Sequence, residues 1–175
     1  MAGYGLDAGQ GFTDQLQAAL KETGYDVTVA NAGVSGDTSS SALSRLDWSI
    51  PDGTQLVILE IGANDMLRGI DPALVEKNIA EMLERLKARK IPVLLAGMLA
   101  APNLGPDYAQ RFNGLYAVLS QRFGVPLYPF FLQGVASDAS VLQADGMHPN
   151  ADGVRRMVEA ILPTIQRQID RLRGS

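Results

Sequence analysis

Two short runs constrain this chain most. Residues 56–61 (LVILEI) and 92–97 (PVLLAG) are nearly continuously apolar and strand-sized. Runs of that length without polar alternation fit strands covered on both faces. Between them lies a segment with apolar residues at helical spacing. Asp71 is placed to cap it, Pro72 takes its first position, and Val75, Ile79, Leu83 and Leu86 form its stripe. Lys87, Arg89 and Lys90 then suit its C-terminal end. A strand, a helix and a strand in that order predict a parallel sheet with crossover helices, an α/β architecture in three layers.

The rest of the chain extends the alternation. Phe12, Leu16, Ala19 and Leu20 predict a helix that Gly24 stops, and the β-branched run 27–30 predicts a strand. A helix is expected after Asp37 or Thr38, burying Leu43 and Leu46. Phe112, Leu115, Tyr116 and Leu119 mark another helix, and residues 125–128 a last short strand. From about Ala151 a helix carries Val154, Val158, Ile161, Leu162, Ile165 and Ile169, with a kink expected at Pro163. No repeat or second domain appears, so residues 1–175 read as one domain.

Composition narrows the function classes. A net charge of −4 without a long basic run argues against nucleic acid as the main partner. The absence of cysteine excludes disulfides and Cys-based metal or redox sites. One histidine and no clustered carboxylates make a zinc site a poor reading, and nothing requires a cofactor. No apolar run is long enough to span a membrane as a helix. Oligomeric state is left open.

In sheets of this kind ligands bind at the carboxyl ends of the strands, which singles out loops 31–38, 62–70 and the stretch ending at His148. His148 is the sole histidine, inside Asp145-Gly146-Met147-His148-Pro149-Asn150. An imidazole can take and return a proton near neutral pH, and a carboxylate three residues earlier can orient it. Pro149 keeps His148 extended, and Asn150 suits a helix cap. Gly36 has no side chain, so its N–H can approach a developing oxyanion, and the Asn64 amide can supply a second donor. Gly36 could equally serve only as a left-handed turn residue, and Asn64 only as a turn cap. The apolar residues of 66–70, among them Met66, Leu67 and Ile70, together with 98–101, could line an acyl pocket or simply cover the core.

Taken together, Val34-Ser-Gly-Asp-Thr, Gly62-Ala-Asn-Asp and Asp145-Gly-Met-His-Pro-Asn resemble the later blocks of the SGNH hydrolases, also called GDSL esterases. The resemblance is strongest to the arylesterase and thioesterase I/lysophospholipase L1 branch, and it also covers Ala2-Gly-Tyr-Gly, Leu67-Arg-Gly and Val125-Pro-Leu-Tyr-Pro-Phe-Phe. It implies a Ser-His-Asp hydrolase on a flavodoxin-like sheet, acting on a small acyl ester or thioester. In it, His148 is the general base, Asp145 its orienting acid, and Gly36 and Asn64 the oxyanion hole. A non-catalytic acyl- or glycan-binding relative is the alternative. A flavodoxin-like nucleotide module is disfavoured for want of a Gly-rich phosphate loop.

The family's nucleophile, the serine of a Gly-Asp-Ser-Leu block after the first strand, has no counterpart here. Ala2-Gly-Tyr-Gly corresponds to residues that follow that block. Met1 is therefore expected to be internal to a longer natural chain whose upstream part also carries any export signal. The resemblance favours a periplasmic or secreted location for that chain, with a cytoplasmic one as the alternative. Ser35, Ser39, Ser40 and Ser41 read as caps and surface residues rather than substitute nucleophiles. In flavodoxin-like strand order the missing first strand lies between 27–30 and 56–61. Each buried backbone group left unpaired there is expected to cost about 1–3 kcal/mol.

Overall fold

The computed structural model describes residues 2–174; Met1, on which the expectation of a longer chain turns, lies outside them. The chain divides into two compact units. One joins the residues up to Ser35 with those from Leu132 onward, and the other is Gly36–Phe131.

The second unit holds the sheet. Strands β1 (Val57–Glu60), β2 (Val93–Ala96) and β3 (Leu127–Tyr128) pair in the order β1-β2-β3, all parallel. Val57 lies opposite Val93, Glu60 opposite Ala96, and Ala96 opposite Tyr128. The central strand β2 is buried at every position, as the run 92–97 predicts. In β1 only Val57 and Leu59 are buried, while Ile58 and Glu60 are half-buried, so the expectation of two fully covered faces holds for β2 alone.

Helices α2 (Ser39–Ser49), α3 (Ala63–Leu67), α4 (Pro72–Ala88) and α5 (Pro106–Phe123) belong to the same unit. The Asp71 side chain accepts from the Ala73 N–H, and Val75, Ile79, Leu83 and Leu86 are all buried, as the pattern predicts. On α5, Phe112, Leu115, Tyr116 and Leu119 form the buried stripe. The α2 stripe buries Leu46 but leaves Leu43 half-buried.

The first unit pairs α1 (Phe12–Glu22) with α6 (Ala151–Arg173). Phe12, Leu16 and Leu20 are buried on α1, and Val154, Val158, Ile161 and Ile165 on α6. The Gln15 amide donates to the Ala151 carbonyl at 3.0 Å, fixing the start of one helix to the start of the other. The helix runs unbroken through Pro163. Pro163 sits on the exposed side, flanked by the buried Ile161 and Ile165, so packing on both sides carries the helix past the one missing N–H.

The expected strand over 27–30 does not form. A strand exists only with a neighbour, and none pairs with this segment among the described residues. Instead the Gln17 amide serves as a short substitute: its Nε2 donates to the Val27 carbonyl at 2.7 Å and its Oε1 accepts from the Val29 N–H at 2.6 Å. Thr28 and Ala30 are exposed, so the expected penalty for buried unpaired groups does not arise across this segment.

Candidate active site

In the first unit, the residues around His148 form a closed hydrogen-bonded loop. Gly146 adopts φ +67°, which turns the chain so that its N–H donates to the Gln143 carbonyl at 2.9 Å. The Gln143 N–H donates to the His148 carbonyl at 2.7 Å, and Leu142 and Pro149 form an antiparallel bridge. Asn150 then caps α6. Its Oδ1 accepts from the Gly153 N–H at 3.0 Å, while its Nδ2 donates to the Ser140 and Leu142 carbonyls at 3.1 and 3.3 Å. Sequence reasoning assigns Asn150 only the cap. Its side chain also closes the loop from which His148 projects.

The Asp145 carboxylate is the centre of that loop. One oxygen accepts from the Met147 and His148 N–H groups at 2.9 and 3.0 Å, and the other lies 2.6 Å from His148 Nδ1. The His148 N–H, the His148 ring and the Met147 N–H together pull the Asp145 carboxyl down to about 2. It is therefore ionised and can only accept, so a ring N–H sits on Nδ1, and in the neutral imidazole the lone pair is on Nε2. Both side chains are partly open, at 41% for His148 and 38% for Asp145.

In the second unit, Gly36 and Asn64 lie on segments that are tied together. Gly36 is left-handed at φ +83°, and its carbonyl accepts from the Arg68 guanidinium at 2.9 Å. Arg68 directly follows α3, and its own N–H donates to the Asn64 carbonyl at 3.2 Å. Residues 63–67, expected as loop, form this five-residue helix because Gly62 turns at φ +116°. A Cβ at Gly62 would collide with the Tyr116 hydroxyl, which donates to the Ile61 carbonyl at 2.8 Å. The Asn64 side-chain amide makes no hydrogen bond among the described residues, so it is free to donate outward.

A second tie is wholly buried. The Asp65 carboxylate, fully inaccessible, accepts the Ser39 N–H at 2.7 Å and the Ser39 hydroxyl at 2.6 Å. Asn78, on α4, donates to the Ser39 and Ser40 hydroxyls at 3.0 and 2.9 Å. The negative charge thus sits at the N-terminus of α2, where helix N–H groups favour it. Ser39 is not the surface residue expected of it: it is fully buried with its hydroxyl committed to Asp65, whereas Thr38 accepts from Ser41 as the cap. Ser35, Ser40 and Ser41 are exposed. Sequence reasoning missed Asp65 and Arg68, whose partners Ser39 and Gly36 lie 26 and 32 residues away and leave no local signal.

The residues expected to line a pocket divide. Met66 and Met98 are buried, Leu67 and Leu99 are exposed, and Ile70 is half-buried with its carbonyl accepting from the Tyr108 hydroxyl at 2.9 Å. Among the described residues no cluster of His, Cys, Asp or Glu is arranged to hold a metal ion. Likewise no helix there is long and apolar enough to cross a membrane.

Residues 1–156 match the GDSL-like Lipase/Acylhydrolase family. The chain belongs to that family. Among its relatives is the esterase TesA of Pseudomonas aeruginosa, 40% identical over 166 residues, which span 94% of this chain and 83% of TesA. Another is the thioesterase 1/protease 1/lysophospholipase L1 of Escherichia coli, 34% identical over 152 residues, 86% of this chain and 72% of the relative. The crystal structure of AlinE4, an SGNH-hydrolase family esterase, superposes with a TM-score of 0.80 at 42% identity, covering 95% of this chain and 90% of that one. The fold is accordingly the α/β fold of the SGNH hydrolases, and the activity at family level is hydrolysis of carboxylic esters on small-molecule substrates.

Proposed function

We propose that this chain carries the base and oxyanion-binding parts of a serine esterase or thioesterase, with His148 as general base and Asp145 as its orienting acid. The observation that carries the reading is the 2.6 Å contact of His148 Nδ1 with a carboxylate that two backbone N–H groups also hold. A carboxylate so fixed sets the tautomer and stabilises the imidazolium once Nε2 has taken a proton.

In this reading the attacking hydroxyl is the serine of the family's Gly-Asp-Ser-Leu block. His148 Nε2 takes the serine proton as the serine oxygen bonds to the acyl carbon. The Gly36 N–H and the Asn64 amide donate to the resulting oxyanion. As the tetrahedral intermediate collapses, the bond to the leaving group breaks and His148 returns the proton to the departing alcohol or thiol. Water then attacks the acyl-serine, again giving its proton to His148, and the acid leaves with the serine restored. In the same reading Leu67 and the half-buried Ile70 are accessible apolar side chains for the acyl portion of the substrate, whereas Met66 is buried.

The test is p-nitrophenyl acetate turnover by the chain preceded by its natural upstream codons. Turnover lost on His148→Ala supports the assignment. An upstream frame that stops without a Gly-Asp-Ser block, or turnover that survives His148→Ala, overturns it.

A further inference from the structure

The Asp145 contact holds the His148 ring at one edge only, and a ring gripped at a single atom can still swing about that point. A second contact lies against the ring. The Tyr4 ring lies against the imidazole with centroids 4.7 Å apart and planes tilted by 38°. Tyr4 is otherwise 57% exposed, so burial in the core does not account for its position.

Gln143 locks this arrangement in place. Its Nε2 donates to the Tyr4 carbonyl at 2.8 Å and to the Pro149 carbonyl at 3.0 Å, while its backbone N–H holds the His148 carbonyl at 2.7 Å. One side chain therefore bridges the 2–6 loop and the His148 loop. Gly5, at φ +70°, leaves open the space that the Gln143 amide occupies.

We propose that Tyr4, latched by Gln143, is a positioning residue that fixes the plane of the His148 imidazole and so the direction of Nε2. The inference rests on the reading of His148 as the general base and adds what aims it. Asp145 sets which nitrogen carries the proton; Tyr4 sets where the other points. Aromatic contacts of this geometry favour the held state about two- to tenfold over the free one.

The experiment is NMR of the labelled 175-residue chain, in which His148 is the sole histidine and its ring protons need no separate assignment. Expected are a cross-peak between the Tyr4 and His148 rings, a ring-current displacement of the His148 ring signals, and one dominant His148 rotamer. Tyr4→Leu removes the displacement and lowers the held-to-free rotamer ratio about two- to tenfold. Tyr4→Phe, which keeps the ring, retains both, and Gln143→Met weakens both with Tyr4 intact. Unchanged methyl signals from Val154 and Ile161 check that the packed unit is intact. His148 ring signals that coincide in the parent chain and Tyr4→Leu, or a Tyr4→Phe variant that behaves as Tyr4→Leu, overturn the proposal. Esterase turnover surviving His148→Ala would instead remove the base assignment and leave these signals as they are, so the two failures are distinguishable.

Discussion

Replacing Asp65 tests the buried tie between the segments of Gly36 and Asn64, and its size follows from the contacts. Asp65→Ala leaves two buried donors, the Ser39 N–H and hydroxyl, without their acceptor. Each orphaned donor costs about 1–3 kcal/mol. Removing the carboxylate also relieves its own desolvation, which offsets part of that sum. A net loss of about 2–3 kcal/mol remains, a large share of the ~5–15 kcal/mol stability of a domain. With a urea slope of about 2 kcal/mol per molar, the unfolding midpoint followed by far-UV circular dichroism falls by about 1–1.5 M. Asp65→Asn keeps one acceptor for the Ser39 N–H and loses roughly half as much, about 0.5 M. The order parent, Asn, Ala is the signature of an acceptor serving two donors. Midpoints for both variants within about 0.2 M of the parent, or an Ala variant more stable than the parent, would refute the reasoning.

The remaining predictions separate chemistry from stability. In the chain that carries the Gly-Asp-Ser-Leu block, Asn64→Ala lowers kcat by roughly 100- to 1000-fold. It leaves the urea midpoint unchanged, since the amide has no partner within the described protein to lose. Asp145→Asn lowers kcat in the same assay by roughly 100- to 1000-fold; that is less than for a buried triad aspartate, because solvent reaches this carboxylate. Asp145 is also acid-sensitive in a defined direction. Its carboxyl is depressed from 3.8 to about 2 in the folded loop, so its support is complete above about pH 4 and is lost as pH falls through about 2. The NMR signals of Met147 and His148 N–H, followed from pH 6 downward, should hold to about pH 3 and then move together.

How much was legible in the sequence depended on whether the information was local. Helix α4 announces itself through Asp71, Pro72 and a regular stripe, and each of those signals acts within a turn of the residue that bears it. The run 92–97 reads correctly because a central strand is apolar on both faces. The segment 27–30 has the right residues for a strand, but pairing is decided by a neighbour far away in sequence, and here Gln17 takes part of that role. Helix α3 is too short to show a period, and what makes it turn is the fit of Gly62 beneath Tyr116, 54 residues later. At the site, the Asp145–His148 pair was readable because its partners are three residues apart. The contacts of Asp65 with Ser39 and of Tyr4 with His148 span 26 and 144 residues, and no local pattern signals them.

The most direct measurement is pre-steady-state release of p-nitrophenol from p-nitrophenyl acetate. The 175-residue chain should show no burst. The same chain preceded by the Gly-Asp-Ser-Leu block should show a burst approaching one equivalent, abolished by His148→Ala. A burst from the 175-residue chain itself, or one that persists in the extended chain without His148, would contradict the assignment of the imidazole as the base of this hydrolase.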